Sequence, residues 1–278
     1  MAYEAFELTV KDHVAHLALN RPGKLNTMIP AFWTEIVEIF KALEQDPSVR
    51  AAVISSTGRH FTAGMDLSVF TNLVPATADQ GRLREQFRRT VLTIQECFNV
   101  IERARFPVLA AIQGGCIGGG VDMVTACDMR YCSADAFFQV AEINIGMTAD
   151  VGTLQRLPHV LPSGMVRELA YTGRRLSAQR ALAFGLVNEV FETQEALVDG
   201  VLAIAAEIAG HSPLAVAGTK EMLNYARDHS VSDSLNYIAT WNAAMFIGND
   251  MAEAFAAKAA KRPPVYEDLQ PVTGRLFG

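Results

Sequence analysis

The sequence predicts an α/β protein in two parts, and three observations carry that reading. Short apolar strand patterns alternate with amphipathic helix patterns over residues 1–193, the region read as the core. From Gln194 to the end, residues 194–278, only helix patterns remain. Half of the 278 residues are hydrophobic, enough for a sizeable core.

The elements follow in order. Phe6 to Val10 and Val14 to Leu19 alternate around Lys11-Asp12, which predicts a hairpin. Pro30 to Glu44 repeats apolar residues at Phe32, Ile36, Ile39, Phe40 and Leu43, the period of a helix with one buried face. Ala51 to Ser55 is a short buried strand, Gly58 to Gly64 a loop, and Leu83 to Ile101 a second amphipathic helix whose apolar face runs from Phe87 through Val91, Ile94 and Phe98. Pro107 to Ile112 returns to strand, Val121 to Cys127 to helix, and Met129 to Cys132 and Phe137 to Val140 to strand. Helices are expected around Leu154 and Val166. Ser177 caps another that Gly185 stops, and Leu186 to Phe191 is a last strand. The final helices are Leu197 to Ile208, Pro213 to Ala226, Ser232 to Phe246 and Met251 to Ala260. Their apolar faces are wider than one packing surface needs, so a homo-oligomer is expected.

Composition excludes several function classes. A formal net charge of −6 argues against a nucleic-acid partner and against an anionic membrane surface. Cys97, Cys116, Cys127 and Cys132 form no C-x-x-C pair and lie in apolar segments, as reduced core thiols do. The six histidines show no metal-ligand spacing, so no metal is expected. The chain opens on Met1-Ala2-Tyr3-Glu4 rather than a basic-then-apolar leader, and its last residues are not S-K-L; a cytoplasmic location is the expectation.

The chemistry concentrates in Gly114-Gly115-Cys116-Ile117-Gly118-Gly119-Gly120-Val121-Asp122. Three glycines running into a helix put bare N–H groups at its positive end, which is an anion site. The run has neither the Lys-Ser/Thr of a P-loop nor the spacing G-x-G-x-x-G, and the chain has no G-x-S-x-G. With no Lys or Arg in the run, a developing oxyanion fits better than a standing phosphate. Phe61-Thr62-Ala63-Gly64-Met65-Asp66-Leu67, small residues after a buried strand, read either as an ordinary turn or as the source of a second donor N–H. Three acids accompany the glycines. Asp122 falls in the first turn of the helix, where an acid also serves as a dipole partner. Glu142 and Asp150 sit on a loop leaving an apolar strand, and two carboxylates in one pocket push their titrations apart, leaving one as base and one as acid.

Ala110-Ala111-Ile112 leading into Gly114 to Asp122, with Phe61 to Leu67 before and Ser177-Ala178 to Gly185-Leu186-Val187 after, resembles the enoyl-CoA hydratase/isomerase (crotonase) superfamily. Within it, the strings from Cys116 to Asp122, Asp128 to Cys132, Asp135 to Val140 and Ala149 to Pro158 are similar to the dienoyl-CoA isomerases. The resemblance implies a crotonase-like spiral of ββα repeats with a C-terminal helical trimerisation region, assembled as a trimer or a dimer of trimers. It implies an acyl-CoA thioester as substrate and no cofactor beyond that CoA. The N–H groups of Met65 and Gly119 would form the oxyanion hole, with Gly64, Asp66, Leu67, Ser68 and Gly120 along the acyl-CoA path. Asp150 would remove a proton near the thioester, Glu142 would deliver one at the far end of the diene, and Asp122 would support both. A hydratase of the same superfamily would need only Asp122 and Glu142 around a water. A non-catalytic or RNA-binding relative would keep the spiral without the chemistry.

Overall fold

The computed structural model describes residues 3–66, 68–69 and 79–272. The hairpin comes first: β1 (Phe6–Lys11) pairs antiparallel with β2 (Val14–Leu19), Lys11 opposite Val14. The two residues between them, Asp12 at φ 48° and His13 at φ 67°, take the paired positive φ values of a tight hairpin turn that follows the strands' twist. The turn is therefore Asp12-His13, one residue later than the expected Lys11-Asp12, and Lys11 ends β1. Helix α1 (Pro30–Gln45) starts on a proline whose fixed φ suits the first helical position, and it buries the five apolar residues that its period marks.

Strand β3 (Ala51–Ser56) and, after helix α2 (Gln80–Arg103), strand β4 (Val108–Ile112) are buried along their whole length. Successive side chains of a strand point to opposite faces, and here each face meets a different layer. Ala52, Ile54, Val108, Ala110 and Ile112 join the large core with α1 and α2, whereas Ala51, Val53, Leu109 and Ala111 join a second core on the other side. Both faces are covered, which is why these strands read as unbroken apolar runs.

The chain next forms a three-residue strand, β5 (Gly115–Ile117), and helix α3 (Gly119–Ala126). The helix begins two residues before the predicted Val121, so Gly119 and Gly120 lie inside its first turn. The strand inside the glycine run was not expected, because so short a segment flanked by glycines has the composition of a loop. Strands β6 (Met129–Ser133) and β7 (Phe137–Gln139) follow, then a 3₁₀ turn at Glu142–Ile145, the short helix α4 (Thr153–Arg156), α5 (Ser163–Thr172), β8 (Leu176–Ser177), α6 (Ala178–Phe184) and β9 (Glu189–Phe191). Ser177 caps α6 through its side chain, and Gly185 closes it in the left-handed conformation. β9 is shorter than the predicted Leu186 to Phe191, since buried Leu186 and Val187 belong to the turn that ends α6.

Two ladders stack to make the spiral. The main sheet runs β1-β2-β3-β4-β6-β9, parallel beyond the hairpin. Each of its central strands turns into a rung of a second ladder: Thr62, which follows β3, bridges Cys116 of β5, which follows β4, and β5 pairs parallel with β7, which follows β6. The α helices return the chain to the next turn.

Beyond Gln194 the helices are α7 (Gln194–Ala209), α8 (Pro213–Ala226), α9 (Val231–Met245) and α10 (Asn249–Ala259). α7 lays Leu197, Val201, Ala205 and Ala209 on the second face of the main sheet, so it covers the chain's own core. Of the later helices, α8 buries Pro213, Gly218 and Lys220 and α10 buries Ala257, whereas α9 has no buried residue, and Leu223, Phe246 and Ile247 are 69%, 60% and 93% exposed. Among the described residues no single helix is long and apolar enough to cross a membrane.

Phe98 of α2 has no exposed surface, and its ring lies 6.4 Å from that of Phe32 and 5.6 Å from that of Trp33. Phe98→Ala is expected to cost about 3–5 kcal/mol, read by urea unfolding, because rigid neighbours on α1 leave the cavity unfilled. The outer part of the same face behaves otherwise. Phe87 is exposed, since the first turns of α2 extend past the core.

Candidate active site

The loop after β3 is laced between two neighbours. Asn26, buried, donates through Nδ2 to the carbonyls of Thr57 (2.7 Å) and His60 (3.0 Å), which ties residues 20–28 to this loop. Thr62 donates its amide to the Gly115 carbonyl at 3.0 Å and its hydroxyl to the Asn26 carbonyl at 2.7 Å. Met28 donates to Gly64 at 2.9 Å and Asp66 to Met28 at 3.1 Å, which makes Met65 the bridged residue between them. In that pairing the Met65 amide points away from Met28. Among the described residues it donates to no protein group, and the same holds for the amide of Gly119, which opens α3 and has no carbonyl one turn behind it.

The two free amides lie on adjoining segments. A Cβ on Gly64 would stand 2.8 Å from the Ile117 carbonyl oxygen and 3.8 Å from the Gly118 Cα, and φ of +88° is itself a glycine conformation. Gly64 thus lets the two chains approach with nothing between them. Met28, paired with Met65, also touches Gly119, its Sδ 3.0 Å from where a Cβ would be, with Trp33 behind it at 3.9 Å. Gly120 is closed in by Thr62 and Cys116. Asp66 accepts from the Ser68 hydroxyl at 2.6 Å, the Ser68 amide at 3.0 Å and the Thr27 hydroxyl at 2.9 Å, bonds that hold its carboxyl below the usual range; it fastens the loop. Leu67 lies outside the described residues.

The three acids share one field. Asp122, 1% exposed, stands in the first turn of α3 and accepts the Thr153 amide at 2.6 Å. Burial pushes its carboxyl up to about 6 against the pull of that hydrogen bond, with the charge of Asp150 adding to the rise. Glu142 opens the 3₁₀ turn after β7, and its Oε1 lies 3.2 Å from the position of a Cβ on Gly118. Gly118, at φ +53°, thereby leaves room for the carboxylate beside the start of α3. Glu142 Oε2 is buried without a hydrogen-bond partner among the described residues, and burial, then the charges of Asp122 and Asp150, raise this acid to about 7. Asp150, on the loop before α4, is also raised by burial, its carbonyl accepting from Gln95 Nε2 at 2.7 Å.

The chemistry such a site supports is proton transfer beside a stabilised oxyanion. Near neutral pH, Glu142, raised to about 7, holds a proton for part of the time, as a general acid must. Sequence reading missed Thr153, whose amide anchors Asp122, and it missed Met28 and Trp33 as the wall behind Gly119. No local pattern marks these three; β-bridges and packing across the fold bring them here. All four cysteines are free and buried, and burial raises every thiol, to about 12 at Cys97, Cys127 and Cys132, so none is a nucleophile at neutral pH. Among the described residues no group of three metal-binding side chains occurs.

Comparison with known proteins adds the family. Residues 9–270 match the family described as enoyl-CoA hydratase/isomerase. The chain is 50% identical over 260 residues to the mitochondrial Delta(3,5)-Delta(2,4)-dienoyl-CoA isomerase of Homo sapiens, covering 92% of this chain and 79% of that one. It is 43% identical over 274 residues to the peroxisomal Delta(3,5)-Delta(2,4)-dienoyl-CoA isomerase of Arabidopsis thaliana, covering 96% and 99%. A crystal structure of an enoyl-CoA hydratase from Bacillus anthracis superposes with a TM-score of 0.85 at 28% identity, over 95% of this chain and 99% of that one. The chain belongs to the enoyl-CoA hydratase/isomerase family, whose crotonase-type spiral its two stacked ladders form.

Proposed function

We propose that the protein is an isomerase converting 3,5-dienoyl-CoA to 2,4-dienoyl-CoA. The observation that carries the reading is a third carboxylate, Asp150, in the same field as Asp122 and Glu142, beside two unpartnered amides. In the proposed reaction the amides of Met65 and Gly119 hold the thioester oxygen. Asp150 takes a proton from C2, and the electron pair spreads over the oxygen, C2, C4 and C6. Glu142 delivers a proton to C6, leaving double bonds at C2 and C4. One proton leaves and one arrives, so no oxidant, metal or cofactor besides the substrate's CoA is required. Asp122, fixed by Thr153 within the field of both acids, makes it costly for all to be ionised together, which favours proton exchange between them. The path of the acyl-CoA would run along Gly64, Asp66, Leu67, Ser68 and Gly120.

Supplying a 3,5-dienoyl-CoA and, separately, a 2-enoyl-CoA tests this. Appearance of the conjugated 2,4-diene chromophore with slow hydration is the expected result; rapid hydration with no diene shift overturns it in favour of the hydratase reading, which the Asp122–Glu142 pair would serve. Retention of RNA at physiological salt with no turnover would instead mark a non-catalytic relative.

The exposed apolar residues of the C-terminal helices support a homotrimer or a dimer of trimers, with residues 194–278 as the helical oligomerisation region and 1–193 as the catalytic core. Sedimentation equilibrium should give three or six times the 30.2 kDa chain mass; a monomer at micromolar concentration would contradict this. A cytoplasmic location is part of the same proposal. Relatives named above carry mitochondrial and peroxisomal in their names, and cell fractionation separates the three compartments.

A further inference from the structure

Asp150 and the amide that anchors Asp122 belong to one short segment, residues 150–153, and α2 holds that segment from outside. Gln95, Asn99 and Glu102 are spaced four and three apart, so they share one face of α2. Gln95 Nε2 donates to the Asp150 carbonyl at 2.7 Å. Arg156 Nη2 donates to Asn99 Oδ1 at 2.7 Å and to Glu102 Oε2 at 3.0 Å, while its Nε donates to Glu102 Oε1 at 3.2 Å. The guanidinium is therefore gripped in a two-pronged pair that fixes its plane as well as its position. It lies over Gly152, where a Cβ would collide with Arg156 Nη1, and φ of +136° is closed to other residues.

The brace continues away from the site. Glu102 Oε1 also pairs with Arg227, and the Glu102 carbonyl accepts from Asn224 Nδ2 of α8 at 3.1 Å. The side chains of Arg156 and Glu102 are 12% and 17% exposed, so this is no loose surface pair. Burial alone would raise Glu102; hydrogen bonds and charge from Arg156, then Arg227, more than offset it and hold the carboxyl low. None of Gln95, Asn99, Glu102, Arg156 or Arg227 belongs to the proton-transfer machinery described above.

We propose that Arg156 is a positioning residue: braced by Asn99 and Glu102 of α2, it seats the 150–153 segment against α3, and Glu102 links that seat to the C-terminal helices through Arg227 and Asn224. The inference rests on the reading of Asp150 and Asp122 as members of the proton-transfer site. Its energetic logic is geometric. A base displaced by about 1 Å loses on the order of 10²-fold in rate although the ligand still binds.

Arg156→Gln in the full-length protein, assayed on whichever acyl-CoA the wild type turns over, should lower kcat by about 10²-fold. The Kd for a saturated acyl-CoA, which binds without reacting, should stay within about threefold of wild type, since the brace touches no part of the oxyanion hole. Amide hydrogen exchange should accelerate at 151–153 and stay unchanged in the main sheet. Arg156→Lys should recover only part of the rate, because an ammonium cannot form the two-pronged pair. Should Arg156→Gln not fold, Glu102→Gln keeps the volume and one acceptor, and about a tenfold loss in kcat at unchanged Kd is expected. Wild-type kcat with native exchange at 151–153 in the variant that folds overturns the proposal, as does a fall in kcat matched by an equal loss of binding or of folded protein. A wild type that hydrates 2-enoyl-CoA and shifts no diene sinks the isomerase reading alone, since the brace is then scored on hydration; a wild type inert on both leaves the exchange measurement to decide the brace.

Discussion

Asp150→Asn is expected to lower turnover of a 3,5-dienoyl-CoA by about 10²–10⁴-fold, the range a positioned general base contributes. The amide keeps the carboxylate's shape and the Asp150 carbonyl keeps its bond from Gln95, so the loop stays seated. Binding of a saturated acyl-CoA should change by less than about threefold, because in the proposed reaction the thioester oxygen is held by main-chain amides that the substitution does not touch. An equal loss of kcat and of affinity would show that Asp150 shapes the pocket instead of moving a proton. The substitution also distinguishes the two family activities. A hydratase built on Asp122 and Glu142 would keep most of its rate when Asp150 loses its charge, whereas an isomerase would not.

Glu142→Gln should abolish proton delivery, again by about 10²–10⁴-fold in kcat, and at the same time make the folded protein more stable at alkaline pH. The sign follows from the proton balance. Glu142 is raised from 4.5 to about 7 in the fold. Between those values the unfolded chain gives up its proton before the native one does, so this acid's contribution to stability is fully present below about 4.5 and is lost as pH rises to about 7. Glutamine has no such proton to lose. At pH 8 the variant should therefore be on the order of 1–3 kcal/mol more stable than wild type, a gain bounded by the size of the shift and reduced by the unmet donors of the new amide. At pH 4 the gain should vanish. Thermal melts at the two pH values read this directly, and a variant equally destabilised at both would show that Glu142 is a structural acid. The wild type's kcat should decline as pH rises through about 7, since the donor must carry its proton. Loss of activity together with gain of stability is the pattern expected of a charge held in an unfavourable place for function.

The hairpin, α1 and the capped helix α6 were legible because each is set by local chemistry. A two-residue turn, a proline at the first helical position with a 3.6-residue apolar period, and a serine cap answered by a closing glycine all act within one element. β5 was not legible, since three residues between glycines form a strand only when β7 and Thr62 lie alongside. For the same reason the sequence could nominate the three acids and the glycine run but not the wall of Met28 and Trp33, the Thr153 anchor or the Arg156 brace. Those depend on segments that are distant in the chain and meet only when the spiral is wound. The switch at Gln194 from strands to helices was plain in the pattern, yet its meaning was not. α7 covers the chain's own sheet, while the later helices leave apolar residues exposed, and both are amphipathic at the same period.

By itself, then, the chain's sequence determined its alternating order of elements, the glycine-rich helix start and the family to which these motifs point, because periodicity, capping and backbone freedom are properties of short stretches. Only the tertiary structure decided that Asp122, Glu142 and Asp150 lie within one another's fields and that two amides stand free beside them. Burial, which raises all three acids, and neighbouring carboxylate charge, which raises Asp122 and Glu142 further, are properties of a packed interior that no single segment possesses.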